Sequence, residues 1–256
     1  MGVFGKYSRY YDLLYQEKDY KGEAEYIAGL IERFKPGTRH YLELGSGSGI
    51  HASLLSKMGY SAECYDFSEE MLNAAQVRRE QLPPEQAERL NFTRGDIRNL
   101  RLGKKFDCVT ALFHVLSYTA TNSELKAAFT TVREHMNPDA VFIFDSWYGP
   151  SVLTIRPSVR IKRVRNELWE ITRIAEPDLN MNECYVDVNY TMFVRDLASD
   201  EVEQLQETHR MRYLFRPEVE LLAESSGMRL EHACNWMSDD EPDATTWGVC
   251  FVLRAI

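Results

Sequence analysis

One run, Tyr41-Leu42-Glu43-Leu44-Gly45-Ser46-Gly47-Ser48-Gly49, restricts the fold more than any other stretch of this chain. Tyr41 to Leu44 reads as a buried strand carrying one acid. The three glycines read as a turn in which the backbone takes positive φ and passes close to a ligand. Ile50 to Met58 then has helical character, so the turn presents a helix N-terminus with unpaired amides. Strand, glycine turn and helix in this order open an α/β unit that holds an adenosine-bearing cofactor.

The features behind it keep the same rhythm. A second strand, Ser61 to Tyr65, ends at Asp66, about twenty residues past Gly45, where an acid on the neighbouring strand tip meets a ribose diol. A third, Leu90 to Thr93, runs into Gly95-Asp96-Ile97. A fourth, Phe106 to Leu112, ends at Phe113-His114, and a fifth spans Ala140 to Phe144. Helical segments at Glu69 to Gln81 and Ser123 to Met136 lie between strands. From Lys21 to Phe34, Ala24, Ile27, Ala28, Ile31 and Phe34 fall at helical spacing before Pro36-Gly37. The alternation predicts a Rossmann-like α/β fold with a mostly parallel sheet and helices on both faces.

Ser151 to Phe215 breaks the rhythm. Cys184, Val186, Val188, Tyr190, Met192 and Val194 alternate with Tyr185, Asp187, Asn189, Thr191 and Phe193, the period of a two-faced strand. Val159 to Ile174 and Glu201 to Tyr213 read as its partners, separated by Asp178-Leu179-Asn180 and Ala198-Ser199-Asp200. A last helix, Pro217 to Ser226, and strands Arg229 to Cys234 and Trp247 to Arg254 would finish the sheet, the final strand antiparallel. The expected organisation is a domain of residues 1–150 and 214–256 with an N-terminal helical lid. Residues 151–213 would form an inserted antiparallel β layer that covers substrate or joins two subunits in a homodimer.

With 256 residues the chain can bury one sizeable core, and two independent domains are not expected. No stretch approaches the roughly 20 apolar residues of a membrane span. Met1 to Tyr20 lacks the apolar region of a signal peptide, so a cytoplasmic location is expected, with no membrane partner. The net charge of -9 repels polyanions, and apart from Arg156 to Arg165 the basic residues are scattered, which argues against nucleic acid as partner. Cys64, Cys108, Cys184, Cys234 and Cys250 show no paired spacing; reduced thiols without metal are expected.

Dinucleotide-binding dehydrogenases carry G-x-G-x-x-G, whereas here an acid precedes G-x-G-x-G. The string Glu43 to Gly49, with Asp66, Gly95-Asp96 and Phe106-Asp107-Cys108-Val109, resembles the class I S-adenosylmethionine-dependent methyltransferases. The resemblance implies S-adenosylmethionine as cofactor. Gly45, Gly47 and Gly49 would pass under its methionine portion, Glu43 would lie near its ammonium and Asp66 would accept both ribose hydroxyls. Phe67 and Met71 would flank the adenine, Asp96 would accept from its amine and the Ile97 backbone would bond a ring nitrogen. The competing readings are a tight turn for the glycines, a helix cap for Asp66, a capped turn for Asp96 and core packing for Phe67 and Met71.

The methyl acceptor would sit past the fourth strand. His114 and Tyr118 are the catalytic candidates there, sharing one face if a helix begins at 114. Asp145-Ser146-Trp147-Tyr148, at the end of the fifth strand, offers a carboxylate for catalysis and aromatic walls for the substrate. A structural histidine, or a mere strand terminus, is the alternative. Tyr7, Tyr10, Tyr11, Tyr15 and Tyr20 would close over the crevice or pack the first helix. His40, His51, His135, His209 and His232 show no ligand spacing and receive no chemistry.

Tyr11-Asp12-Leu13-Leu14-Tyr15-Gln16, Lys18-Asp19-Tyr20, Gly95-Asp96-Ile97-Arg98, Phe113 to Tyr118 and Asp145 to Pro150 further resemble the N,N-dimethyltransferases of nucleotide-linked amino sugars, the desosamine and mycaminose type. That resemblance implies that Tyr11, Tyr20 and Tyr118 face the cofactor and the sugar amine, with Phe113 beside them. His114 stands where that family has small residues, and Asn235 to Glu241 replaces a glycine-rich approach to the last strand. The acidic tail calls for Arg98, Arg156 or Arg160 to balance a pyrophosphate. Other readings are a sugar O-methyltransferase, a methylase of glycine or sarcosine, a non-catalytic S-adenosylmethionine-binding module, and a nicotinamide-dependent oxidoreductase.

Overall fold

A computed structural model describes residues 7–256; residues 1–6, which open the expected first domain and the stretch Met1 to Tyr20, lie outside the described residues. Helices α1 (Ser8–Leu14) and α2 (Tyr20–Phe34) come first, the second capped by Asp19, whose side chain accepts from Gly22 N at 2.9 Å. There follow β1 (His40–Leu44), α3 (Ile50–Lys57), β2 (Ser61–Asp66), α4 (Glu69–Glu80), α5 (Pro84–Ala87), β3 (Leu90–Arg94), β4 (Phe106–Ala111), α6 (Asn122–Glu134), β5 (Met136–Tyr148) and α7 (Gly149–Ile155). The chain ends with β6 (Arg160–Arg165), β7 (Trp169–Asn180), β8 (Tyr185–Asp196), β9 (Val202–Leu214), α8 (Arg216–Ser225), β10 (Met228–Asn235) and β11 (Gly248–Ala255).

Strands β3-β2-β1-β4-β5 are parallel in that order, and β11 runs antiparallel along β5 with β10 beyond it. Successive residues of the central strands enter opposite cores. Leu42, Leu44, Phe142 and Phe144 join Phe129, Val219 and Ala223 under α6 and α8, while Tyr41, Val141 and Ile143 join Ala24, Ile27 and Leu55 under α2 and α3. A strand buried on both faces reads as a continuous apolar run, which is why these strands stood out. Each such side chain contributes on the order of 1.5–3 kcal/mol by burial.

Three expectations need correction. Strand β5 does not stop at Phe144: Asp145, Ser146 and Trp147 continue in register with Cys250, Val249 and Gly248. Val159 to Ile174 is two strands, broken at Asn166, whose Oδ1 accepts from Leu168 N at 2.9 Å and Trp169 N at 2.7 Å. Asp178-Leu179-Asn180 is strand, not turn; the reversal falls at 181–184, where Cys184 takes φ 55°.

The antiparallel strands join the parallel sheet at one edge. β9 pairs in parallel with the tip of β5, Trp147 with Tyr213 and Tyr148 with Leu214, beyond the point where β4 ends. The meander β9-β8-β7-β6 therefore extends the sheet past the strand tips. Its face carrying Val164, Ile171, Met192, Val194 and Leu205 packs against Tyr7, Tyr10 and Leu14, so α1 bridges the meander and the parallel sheet. Among the described residues no helix is long and apolar enough to cross a membrane.

Candidate active site

The glycine turn is fixed from below. Gly45 N and Ser46 N both donate to Tyr65 O, at 2.7 and 3.1 Å. Gly45 takes φ 69°, and a Cβ there would lie 2.5 Å from both methyl carbons of Val115. Gly47 takes φ 55° under open space, and its N–H donates to Asp66 Oδ2 at 2.8 Å. Asp66 Oδ1 accepts from Ser68 N at 2.8 Å, but the α4 cap is Ser68, whose Oγ accepts from Met71 N. Burial pushes the Asp66 carboxyl up and the amides of Ser68, Gly47 and Phe67 pull it back. A carboxylate offers about four lone-pair sites, so acceptor capacity remains towards the cavity it lines.

That cavity, about 360 Å³, runs from the glycine turn to the meander. Glu43, Gly45, Gly47, Asp66, Phe67, Met71, Asp96, Ile97 and Arg98 line it, whereas Gly49 turns into α3 with φ 73° and stays outside. Phe67 is 58% exposed at the rim and Met71 is buried. Arg98 Nε and Nη2 grip both oxygens of Asp96 and Nη1 reaches Glu124 at 2.6 Å. The Arg98 guanidinium holds the Asp96 carboxyl below its usual range. Two carboxylates thus neutralise Arg98; it is a brace between the loop after β3 and α6 rather than a spare cation for a pyrophosphate.

Beneath the turn, Glu43 is 1% exposed and accepts from Tyr41 OH at 3.0 Å; burial raises its carboxyl to about 6, against the pull of His51 and Tyr41. His51 Nε2 lies 2.8 Å from Glu23, which also accepts from Trp236 Nε1 at 2.9 Å and pairs with Lys18. Burial would raise Glu23, but His51 and Lys18 outweigh it and hold it near 2.

Past β4, Phe113 and His114 both take φ 64° before a 3₁₀ turn over Val115–Tyr118. Left-handed geometry costs a non-glycine residue about 1–3 kcal/mol. Asp145 offsets it by accepting Phe113 N at 2.6 Å and His114 N at 3.2 Å. His114 Nδ1 also lies 2.7 Å from Asp145 Oδ2, close enough for an ion pair yet off the line of a directed hydrogen bond. Asp145 is 1% exposed and does not line the cavity; it positions the loop and is corrected from the catalytic set. Tyr148 is corrected likewise, since pairing in β5 turns it into the core. His114, Tyr118, Phe113 and Trp147 do line the cavity, but the tight turn sends His114 towards Trp147 and Tyr118 towards His209.

Tyr7, Tyr11, Tyr15 and Tyr20 form the roof, while Tyr10 turns away from the cavity and is buried against Trp169 and the meander. Helix α1 is tied at both ends. Asp12 accepts from Ser48 Oγ at 2.7 Å and Arg78 Nη2 at 2.5 Å, and Arg173 donates to Tyr7 OH at 2.8 Å and Tyr15 OH at 3.2 Å.

A methyltransferase domain matches residues 42–139, the span from β1 to the start of β5 that carries the glycine turn, Asp66 and Asp96. The chain is a class I S-adenosylmethionine-dependent methyltransferase. This methyltransferase is 29% identical, over 87% of its length and 90% of the relative's, to dTDP-3-amino-3,4,6-trideoxy-alpha-D-glucopyranose N,N-dimethyltransferase from Streptomyces venezuelae. Its fold matches the crystal structure of Streptomyces venezuelae DesVI with TM-score 0.81 and 24% identity, covering 99% of this chain and 100% of that one. It also matches an amino pentose methyltransferase from Micromonospora echinaspora, determined with S-adenosylmethionine bound, with TM-score 0.76 and 22% identity over 100% and 99% of the two chains.

The cavity suits the cofactor of this methyltransferase on its own chemistry. The Tyr20 and Ser46 hydroxyls line it, buried and without a hydrogen-bond partner, and Gly47 leaves open space beside an acid with free lone pairs. Glu23, Lys18, His51, Tyr190, Glu207 and His209 escaped the sequence reading. Glu23 left a signal, an acid four residues before Ile27 on the apolar face of α2; the His51–Glu23 and His209–Tyr118 contacts left none, because the partners are distant in sequence. His232, Cys234 and Asp239 bring ligand atoms within 4.8 Å, but Arg33 occupies both Asp239 oxygens and Tyr26 OH sits 3.0 Å from Cys234 Sγ.

Proposed function

We propose that this methyltransferase acts on the amine of a nucleotide-linked amino sugar. The observation that carries the reading is the similarity to an amino-sugar N,N-dimethyltransferase over 87% of the chain, the meander that walls the acceptor end included. The wall itself suits an amine: Tyr118, Trp147, Tyr190, His209 and Met211 present ring faces, a hydroxyl and an imidazole, and rings attract a cationic nitrogen.

In this reading Gly45 and Gly47 shape the seat of the methionine portion, Glu43 receives its ammonium and Asp66 the ribose hydroxyls. Phe67, Met71, Asp96 and the Ile97 backbone serve the adenine. Tyr11, Tyr20 and Phe113 close over the reacting centre, and His114 and Trp147 face the acceptor. The meander covers the acceptor and α1 is the lid. When bound, S-adenosylmethionine supplies a sulfonium methyl that the amine nitrogen takes in line, the N–C bond forming as the C–S bond breaks. The chain's share is alignment and exclusion of water, which can supply roughly 7–11 kcal/mol.

The test is mass spectrometry after incubation with S-adenosylmethionine and a panel of amino and hydroxy sugar nucleotides. A gain of one or two methyl groups on an amine is expected; modification of hydroxyl compounds alone overturns the reading.

A further inference from the structure

His114 and Asp145 meet at the acceptor end of the cavity. Asp145 Oδ2 lies 2.7 Å from His114 Nδ1, and both the carboxylate and Nδ1 are buried. A bare Nδ1 lone pair would set two acceptors against each other where no solvent reaches. The ring proton therefore sits on Nδ1, and the lone pair is on Nε2. The His114 side chain is 19% exposed although its Nδ1 is buried, so the open edge of the ring is the one that carries Nε2. His114 lines the cavity. The backbone supports this placement: Phe113 and His114 stand at φ 64° with their amides held by Asp145, and such strain persists only where the surroundings over-determine it.

We propose that His114 Nε2 takes the proton of the acceptor's ammonium, so that the amine is bound in its charged form and its lone pair is freed inside the cavity. The inference rests on the amine reading above and names the form of the amine that the site takes. An alkyl amine carries a proton at neutral pH, and in that form it has no lone pair to offer a methyl group. A sulfonium beside it also repels it. Passing the proton to Nε2 removes both obstacles. The N–H bond breaks, its electron pair stays on the amine nitrogen, and the charge moves to a ring whose other nitrogen abuts the Asp145 carboxylate. The freed amine takes the methyl group, and the imidazolium gives its proton to water as product leaves. Asp145 is a positioning residue here: it fixes the tautomer and offsets the charge on the ring.

The groups around the ring suit a passing positive charge. From β5 come Asp145 and Trp147, whose ring is 6.3 Å away, and from β11 Gly248, where a Cβ would lie 4.0 Å from His114 Cε1. On its own turn the Phe113 ring is 5.5 Å away. Against Phe113 stand the Tyr11, Tyr15 and Tyr20 rings and the Lys18 ammonium, 4.4 Å from the Phe113 centroid. Lys18 opposes a second cation, and its partner Glu23 offsets it. A histidine that merely packed here and balanced Asp145 would give its variants the same deficit at every pH.

The experiment compares wild type with His114→Gln, which keeps an acceptor atom but takes up no proton, and with His114→Asn, whose side chain tolerates the left-handed backbone. Methyl transfer to an amino sugar nucleotide is measured at about pH 7 and about pH 9, with calorimetry of S-adenosylmethionine binding as the check on folding. The ratio of wild-type to variant kcat/KM cancels every titration that the proteins share. At the lower pH the variants are expected to bind cofactor as wild type does and to transfer methyl about 10²-fold more slowly. At the higher pH more of the amine arrives without its proton, and the ratio is expected to fall at least about tenfold for an amine with an ordinary value near 8. A variant rate equal to wild type at the lower pH, or a ratio that is the same at both, overturns the inference and leaves the amine reading intact. Should His114→Gln fail to fold, His114→Asn decides alone. Wild type that methylates only hydroxyl compounds overturns both.

Discussion

The Gly47 amide donates to Asp66 Oδ2 at 2.8 Å, so the turn after β1 and the acid at the tip of β2 act as one unit. Asp66→Asn keeps the volume but offers an NH₂ where two amides now donate, and removes the charge proposed to receive the ribose hydroxyls. Hydrogen bonds to charged groups contribute about 1.5–3 kcal/mol, so the dissociation constant for S-adenosylmethionine is expected to rise roughly 10- to 100-fold. Calorimetry reads this directly; an unchanged constant would remove Asp66 from the cofactor site.

Gly45 carries a second expectation. A methyl group there meets the two Val115 methyl carbons at 2.5 Å on a backbone with φ 69°. Gly45→Ala is expected to destabilise the protein by about 1–3 kcal/mol through overpacking and left-handed strain. Adding Val115→Ala should return most of the packing part, a 3.0 Å contact with the Val115 Cβ remaining, and leave the backbone part. Urea unfolding of the single and double variants separates them, and a Val115→Ala that gives no relief contradicts the steric account.

The parallel half of this fold was legible because the central stretches of β1, β4 and β5 are apolar on both faces, with β1 running into Gly45 and β2 ending in Asp66. Asp66 and Gly47 were readable for the same reason. Asp145 was misread as an open strand end, because its neighbours β9 and β11 lie 60 or more residues away in sequence and periodicity carries no record of pairing. The His51–Glu23 and Tyr118–His209 contacts, 28 and 91 residues apart in sequence, were hidden for the same reason. Arg98 was visible as a charge but not as one already bound by Asp96 and Glu124.

Asp145 holds the left-handed pair Phe113–His114 by accepting both amides. Asp145→Asn removes the negative charge from two strained residues and sets an NH₂ against an N–H. The expected loss is about 2–3 kcal/mol, a fall in Tm of roughly 4–10 °C for a chain of this size. Tm is read by calorimetry with and without S-adenosylmethionine. A Tm equal to wild type would refute the positioning role.

Glu23 predicts an acid limb. Its carboxyl is held near 2 against an ordinary 4.5, so its contribution is fully present above 4.5 and fades as pH falls from there towards 2. The window is worth up to ~3 kcal/mol. Glu23→Gln should lower stability at neutral pH and flatten the decline below about pH 4.5 in urea titrations. An acid limb as steep as wild type in that variant would place the linkage elsewhere.

Glu43 runs the other way. Burial raises its carboxyl to about 6, so ionising it costs stability as pH rises from 4.5 through 6, and in the free protein it is largely protonated at the lower end of that window. A cofactor ammonium docked beside it favours the carboxylate, so binding is expected to expel a fraction of a proton near about pH 5.5 and none near about pH 8. Affinity for S-adenosylmethionine should therefore climb through that interval. Calorimetry in buffers of different ionisation enthalpy counts the proton, and Glu43→Gln should abolish the count. Proton release that survives in that variant, or is missing in wild type, would mean that the ammonium docks away from Glu43.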